Sequence, residues 1–180
     1  MNRLKLMLLG IPFFLLITLA ANPVFAEEQL QQDIERCRER TNAAWTFASD
    51  AVHELQFIDG ASSYEELRNY CFNALTVLDS LDIALRQAEY AVTDATYELK
   101  EKENEQSYTL MLNVKNELKQ ASQFQGASKQ QLQAILDESN ITAINQKLFD
   151  TADNLNNCAR HIKSAQAGLK ILRKTLPKNN

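Results

Sequence analysis

Three cysteines and two histidines are the side chains best suited to redox chemistry or metal binding: Cys37, Cys71, Cys158, His53 and His161. Cys158 and His161 are three residues apart, so on a helix they would share one face and could supply two of the four ligands of a structural zinc site. The sequence contains no second pair of ligands. Di-iron bundles use Glu-x-x-His pairs, and neither histidine has a Glu three residues before it. We therefore predict no metal site.

A methionine and a histidine are the axial ligands of haem in some cytochromes, which makes Met111 and His161 a second pair to consider. The segment from Cys158 to His161 has one cysteine, whereas the motif for covalent haem attachment has two. A methionine at a helix-spaced apolar position usually packs in a core. We therefore predict no cofactor, and a small-ligand, haem or metal carrier that uses these three residues remains an alternative function.

No arrangement of residues typical of a catalytic site occurs in the sequence. It lacks the G-x-S-x-G, H-E-x-x-H and P-loop motifs, each of which places a nucleophile, a metal or a phosphate in a defined local structure. Several carboxylates lie where a helix is predicted to begin, and there they complement the helix dipole. We therefore predict that the protein is not an enzyme.

The first 26 residues have the organisation of a cleavable secretory signal peptide. Arg3 and Lys5 precede an apolar run from residue 6 to 21, and Val24 and Ala26 place small residues at the −3 and −1 positions of a cleavage site. The apolar run is shorter than the roughly 20 residues that a membrane span requires. We therefore predict that 1–26 is removed and that the protein is periplasmic or secreted, without stable membrane insertion after signal cleavage.

The composition of the remaining 27–180 is typical of one helical domain. Its only glycines and proline are Gly60, Gly126, Gly168 and Pro177, which is too few turn residues for a β-rich domain. The formal charge of the whole chain is −4, and it becomes −6 when the two basic residues of the signal peptide are removed. An acidic chain of this kind is a poor partner for nucleic acid.

Apolar residues recur at alternating spacings of three and four along 27–180, the period that lines one face of a helix. We call each such series a seam. The seams predict four helices at about 28–58, 64–100, 105–137 and 141–176, and they are interrupted by only five polar residues: Thr41, Ser107, Gln125, Ser128 and Thr151. Ser63 with Glu66, and Asn140, are predicted to cap the second and fourth helices.

The segment 100–106 leaves two architectures open. It is polar, favours helix and contains no Gly or Pro, so the second and third helices could form one rod of about 60 residues. The seam changes phase here, however, and a turn gives four helices of similar length. We therefore predict an all-α, up-down-up-down four-helix bundle of long heptad-patterned helices, with an elongated helical hairpin as the alternative. We also predict a kink or break near Gly126, where Ser128 and Gln131 could cap a new segment.

All three cysteines lie on seams, and export would place them in an oxidising compartment. In a bundle whose helix ends are level, Cys37 and Cys158 fall within about two turns of the same height on adjacent helices, while Cys71 lies near the opposite end. A disulfide requires Cα atoms within about 7 Å, which a small stagger would allow. We therefore predict a disulfide between Cys37 and Cys158 and a buried free thiol at Cys71.

Ile83, Tyr90 and Tyr97 are spaced by seven and fall opposite the seam of the second helix, on its solvent side. These three residues, which we call the apolar row, would form a stripe about 20 Å long. Tyrosine is enriched at protein interfaces, so the row is a candidate partner-binding face.

These patterns favour a non-enzymatic, exported helical-bundle protein that acts by protein–protein binding, as an adaptor, an inhibitor, an immunity factor or a secretion-apparatus accessory. The partner would be another protein, or a second copy of the chain through self-association. The first alternative is the carrier of a small ligand, haem or metal in the bundle core. The second is a coiled-coil structural spacer of the cell envelope that self-associates.

Overall fold

A computed structural model describes residues 23–101 and 104–176, and within them the backbone forms four α-helices and no strand. They are α1 (Pro23–Asp59), α2 (Tyr64–Glu101), α3 (Glu105–Leu136) and α4 (Ile141–Thr175). Apart from the start of α1, each bound lies within one residue of the predicted one. Most of the predicted signal peptide, 1–22, lies outside the described residues, and 23–26 form the first turn of α1.

The four helices form an up-down-up-down bundle, as the seams predict. Each helix packs against the next one along the chain, and α4 also packs against α1. In the described part of the chain, the diagonal pairs α1–α3 and α2–α4 have no Cα atoms within 8 Å of each other, so the bundle has a square cross-section. The helical hairpin with a continuous central rod is wrong, because α3 folds back against α2.

Short polar segments set the helix boundaries by satisfying free backbone N–H groups. The Ser63 hydroxyl accepts a hydrogen bond from the Glu66 N–H at 3.1 Å, and the Glu66 carboxylate accepts one from the Ser62 N–H at 2.8 Å. The predicted capping box is therefore present, with its reciprocal bond displaced to Ser62. Asn104 and Asn140 cap α3 and α4 by accepting bonds from N–H groups of the following turns.

The seams form the core of the bundle. Every seam residue predicted on the first three helices is buried, and on α4 only Ile141 and Leu148 are not. Alanines are frequent on the seams of α1 and α2. The polar seam residue Gln125 is 3% exposed, and its Nε2 donates to the Leu78 carbonyl oxygen of α2 at 2.9 Å. This bond offsets the cost of burying an amide.

The two helical glycines occupy different surroundings. α3 continues through Gly126, so the predicted break is absent, and a Cβ at this position would have no neighbour within 4 Å. Ser128 does not begin a new segment, because it is buried and its hydroxyl donates to the Phe124 carbonyl oxygen. At Gly168, by contrast, a Cβ would lie 2.6 Å from Cγ2 of Val114, so α3 and α4 approach each other closely there.

None of the helices in the described ranges contains a stretch that is long and apolar enough to cross a membrane.

Candidate functional site: the solvent face of α2

The predicted disulfide between Cys37 and Cys158 is wrong, because the register of α1 against α4 separates the two residues. Gln166 Nε2 donates to Asn42 Oδ1 at 2.8 Å, which places Gln166 and Asn42 at the same level. Cys158 is eight residues before Gln166, and Asp50 is eight residues after Asn42. Because the two helices are antiparallel, Cys158 lies level with Asp50. Cys37 is 13 residues from Asp50 along α1, a separation of about 20 Å.

A second contact gives the same register. Lys163 Nζ lies 4.4 Å from the centroid of the Trp45 ring, so 163 and 45 are also level. The prediction assumed that α4 begins opposite the end of α1, which would have placed Cys158 opposite Asn42. The observed contacts shift α4 by eight residues, or about 12 Å, from that position.

All three cysteines are free thiols with no exposed surface. Burial raises the pKa of Cys37 to about 12, that of Cys71 to about 11 and that of Cys158 to about 12, because the thiolate would lose its hydration. The carboxylate of Asp33 adds to the effect at Cys37. Because the thiolate is the nucleophile and the metal ligand, these cysteines are unsuited to both kinds of chemistry at neutral pH.

His161 is held at the outer surface where α3 meets α4. Its Nδ1 forms a hydrogen bond with Glu117 Oε2 at 2.7 Å, and its ring stacks on Phe124 with centroids 5.5 Å apart. Cys158 is fully buried, whereas His161 is partly exposed and its Nδ1 is bonded to Glu117. Within the described residues, no group of three or more His, Cys, Asp or Glu side chains could hold a metal ion.

Met111 and His161 are also held apart. The contact between Val114 and Gly168 places Met111, three residues before Val114, level with Ile171 of α4. Ile171 is ten residues from His161, which corresponds to about 15 Å along the helix. Met111 is fully buried among apolar residues and serves as core packing.

The apolar row is strongly exposed. Ile83 is 57% exposed, Tyr90 72% and Tyr97 68%, although all three are large side chains on a helix whose opposite face is buried. Phe72, at 51% exposure, lies eleven residues before Ile83, which is close to three helical turns, and it continues the same line. The sequence pattern predicted the position of the row but did not include Phe72 in it.

The two sides of the apolar row carry opposite charge. Three residues after each member of the row are Arg86, Thr93 and Lys100, and four residues after each member are Gln87, Asp94 and Glu101. Because these offsets fall on either side of the row, one flank carries Arg86 and Lys100 and the other carries Asp94 and Glu101. Asp82 is paired with Arg86 on the first flank, and Arg40 of α1 donates to Gln87 Oε1 on the second at 2.8 Å. Five of the six side chains are exposed, and Thr93 is partly buried.

Other large apolar side chains are exposed singly or at the end of the bundle where α2 begins. A shallow depression of about 300 Å³ is lined by Tyr64, Glu65, Arg68, Asn69 and Phe72 and is open to solvent. Ile141 and Phe149 are exposed on the first turns of α4. The sequence pattern does not indicate this depression, although Tyr64 and Phe72 both fall off the seam.

Comparison of the chain with models of known protein families and with curated proteins gives no match to either. A functional inference therefore depends on the fold and on its surface.

Proposed function

We propose that this protein is a non-enzymatic helical-bundle protein that acts by binding another protein through the apolar row of α2. The observation that carries the proposal is the exposure of Ile83, Tyr90 and Tyr97 on one line of a single helix. Exposed apolar residues are common one at a time, whereas three large ones on one line of a helix favour an interaction site.

The bundle presents the apolar row in a form suited to binding. The opposite face of α2 is buried along its whole length, from Leu67 to Leu99, so the helix is fixed by the core. A rigid surface loses little conformational freedom on association. Removing each of the three large side chains from water would contribute about 1.5 to 3 kcal/mol, before the cost of association is subtracted.

We also propose, from the pattern of residues 1–26, that the protein is exported and that its signal peptide is cleaved after Ala26. The expected mature chain begins at Glu27. N-terminal sequencing of the protein recovered from the cell envelope or the medium tests this proposal. A chain that retains Met1 and remains in the cytoplasm would contradict it.

Site-specific photo-crosslinking tests the binding proposal. We would place a photoreactive phenylalanine analogue at position 90 and, as the control, at Phe149, which is 70% exposed on α4. We expect a discrete protein adduct from position 90 that is lost when Ile83→Ser and Tyr97→Ser are added, and no such adduct from position 149. Absence of any adduct from position 90, or equal labelling from both positions, would contradict the proposal.

A further inference from the structure

We propose that the partner of the apolar row is a second copy of this chain, which packs α2 against α2 in a parallel, two-fold symmetric dimer. This inference rests on the proposed function, because it names the occupant of the same face.

The spacing of the apolar row suits a helix–helix contact. Its members are seven residues apart, which is the repeat that keeps one line of side chains facing a neighbouring helix. Ile83 and Tyr97 are 14 residues apart, so the row spans about 21 Å, or four helical turns. A straight ridge of this length fits a second long helix running alongside it.

The flanking charges make the face complementary to itself in one orientation. In a dimer whose two-fold axis runs parallel to α2, each flank of the row on one copy faces the other flank on the second copy. The basic flank, with Arg86 and Lys100, then faces the acidic flank of the second copy, and the same contact is repeated on the other side of the row. An antiparallel dimer would instead place each flank against the same flank of the second molecule, so that like charges would face each other.

Neighbouring groups compensate part of this charge pattern, and the difference between the flanks is largest at Lys100 on one side and at Asp94 and Glu101 on the other. Asp79 lies on the basic side of α2, seven residues before Arg86, but it is paired with Lys129 of α3 at 2.6 Å. Arg86 is paired with Asp82 at 2.7 Å, yet its side chain is 68% exposed and its guanidinium has further donors. Lys100 and Glu101 are exposed at the end of α2.

The size of the face indicates a weak and reversible dimer. Three large side chains exposed to this degree present roughly 400 Å² per copy, or roughly 800 Å² in the dimer before the flanks are added. Stable specific interfaces begin at about 1,200 Å², so the flanking residues must contribute. We therefore expect a dissociation constant on the order of micromolar and a marked dependence on salt.

Sedimentation velocity over a dilution series of the purified protein tests the dimer. We expect a monomer at low concentration, a dimer at high concentration, and a rise of about tenfold or more in the dissociation constant for Tyr90→Ser with Tyr97→Ser. The matched control is Phe149→Ser, which removes an equally exposed aromatic side chain from α4 and should change nothing. A monomer at every concentration up to about 1 mM would overturn the inference.

Charge variants test the charge complementarity of the two flanks and avoid the core. Arg86→Glu with Lys100→Glu makes both flanks acidic, and Asp94→Lys with Glu101→Lys makes both flanks basic. Each variant alone should be monomeric with unchanged helicity, and an equimolar mixture should form a heterodimer. A wild-type dimer that both variants retain, or a mixture that stays monomeric, would overturn the charge complementarity on which the parallel arrangement rests.

The crosslinking experiment separates failure of this inference from failure of the proposed function. An adduct of twice the chain mass supports both. An adduct with a protein of another mass supports the proposed function and overturns the dimer. The absence of an adduct from position 90 contradicts both.

Discussion

Gly168 of α4 lies so close to Val114 of α3 that a Cβ on the glycine would be 2.6 Å from the valine Cγ2. Real Cβ contacts are not this short, and valine is stiff about its χ1 torsion, so the methyl group has little freedom to move away. The two helices therefore meet at a point where only glycine fits. Gly126 has no such constraint.

The two glycines should respond to alanine with opposite sign. We expect Gly168→Ala to lower the free energy of unfolding by about 1 to 3 kcal/mol through overpacking. Gly126→Ala should raise it by about 0.5 to 1 kcal/mol, because alanine is the better helix former. Urea unfolding followed by circular dichroism measures both changes. Adding Val114→Ala to Gly168→Ala should recover part of the loss, and a loss that is independent of residue 114 would contradict the contact.

The three thiols should be inert in the folded protein. Their pKa values of about 11 to 12 leave almost no thiolate at pH 8, and their burial excludes reagents. We expect Ellman's reagent to titrate no thiol in the native protein and three after denaturation, and mild oxidation to leave the chain mass unchanged. Rapid labelling of any cysteine under native conditions would show that the core opens readily.

The raised pKa values of the three thiols also predict that the folded protein loses stability in alkali. A thiol whose pKa is higher in the folded state than in the unfolded chain keeps its proton more tightly when folded. Its contribution to stability is complete below the unfolded value of 9.0 and is lost as the pH rises toward about 12. We expect the midpoint of urea unfolding to decrease as the pH rises above 9. Relative to its own value at pH 8, the midpoint of Cys158→Ala should decrease less.

The turn between α3 and α4 should weaken in acid. Lys147 Nζ lies 2.8 Å from Glu138 Oε2, and the side-chain bond from Lys147, followed by the backbone N–H of Asn140, holds the pKa of Glu138 below its usual 4.5. The stabilisation is present above 4.5 and is lost as the pH falls through the lowered value. Unfolding curves from pH 6 to pH 3 should show a smaller acid loss for Glu138→Gln than for the wild type. An identical loss of stability in the two proteins between pH 6 and pH 3 would show that Glu138 does not contribute to it.

The cluster of His161, Glu117 and Phe124 should couple α3 to α4. A double-mutant cycle with His161→Ala and Glu117→Ala should give a coupling free energy of about 0.2 to 1 kcal/mol, because the pair is partly exposed. Repeating the cycle in 0.5 M salt should reduce the coupling. A coupling of zero at low salt would mean that the 2.7 Å contact does not persist in solution.

The helices, their boundaries and the core could be predicted from the sequence, because seams, capping residues and turns are local signals. The 3-4 spacing from Leu30 to Ile58 determines which face of α1 is buried without reference to any other helix. The exposure of Tyr90 and Tyr97 follows from the same argument, since it requires only the position of the α2 seam.

The axial register could not be predicted, and the disulfide prediction failed for that reason. Two seams that repeat every seven residues still match when one helix slides by a whole heptad, so periodicity leaves the shift undetermined. Individual contacts such as that of Asn42 with Gln166 fix it, and no local pattern indicates them. The partner of the apolar row could not be predicted either, because no local sequence pattern indicates which surface packs against the row.

The register also determines how the bundle should open. Counted from the contact of Asn42 with Gln166, the last residue of α1, Asp59, is level with Phe149. The first eight residues of α4 therefore extend beyond α1, and they contain Ile141 and Leu148, the two seam residues that are not buried. Amide protons in these two turns should exchange with deuterium at a lower free energy of opening than those around Leu155, so the bundle would fray from this corner before it unfolds globally.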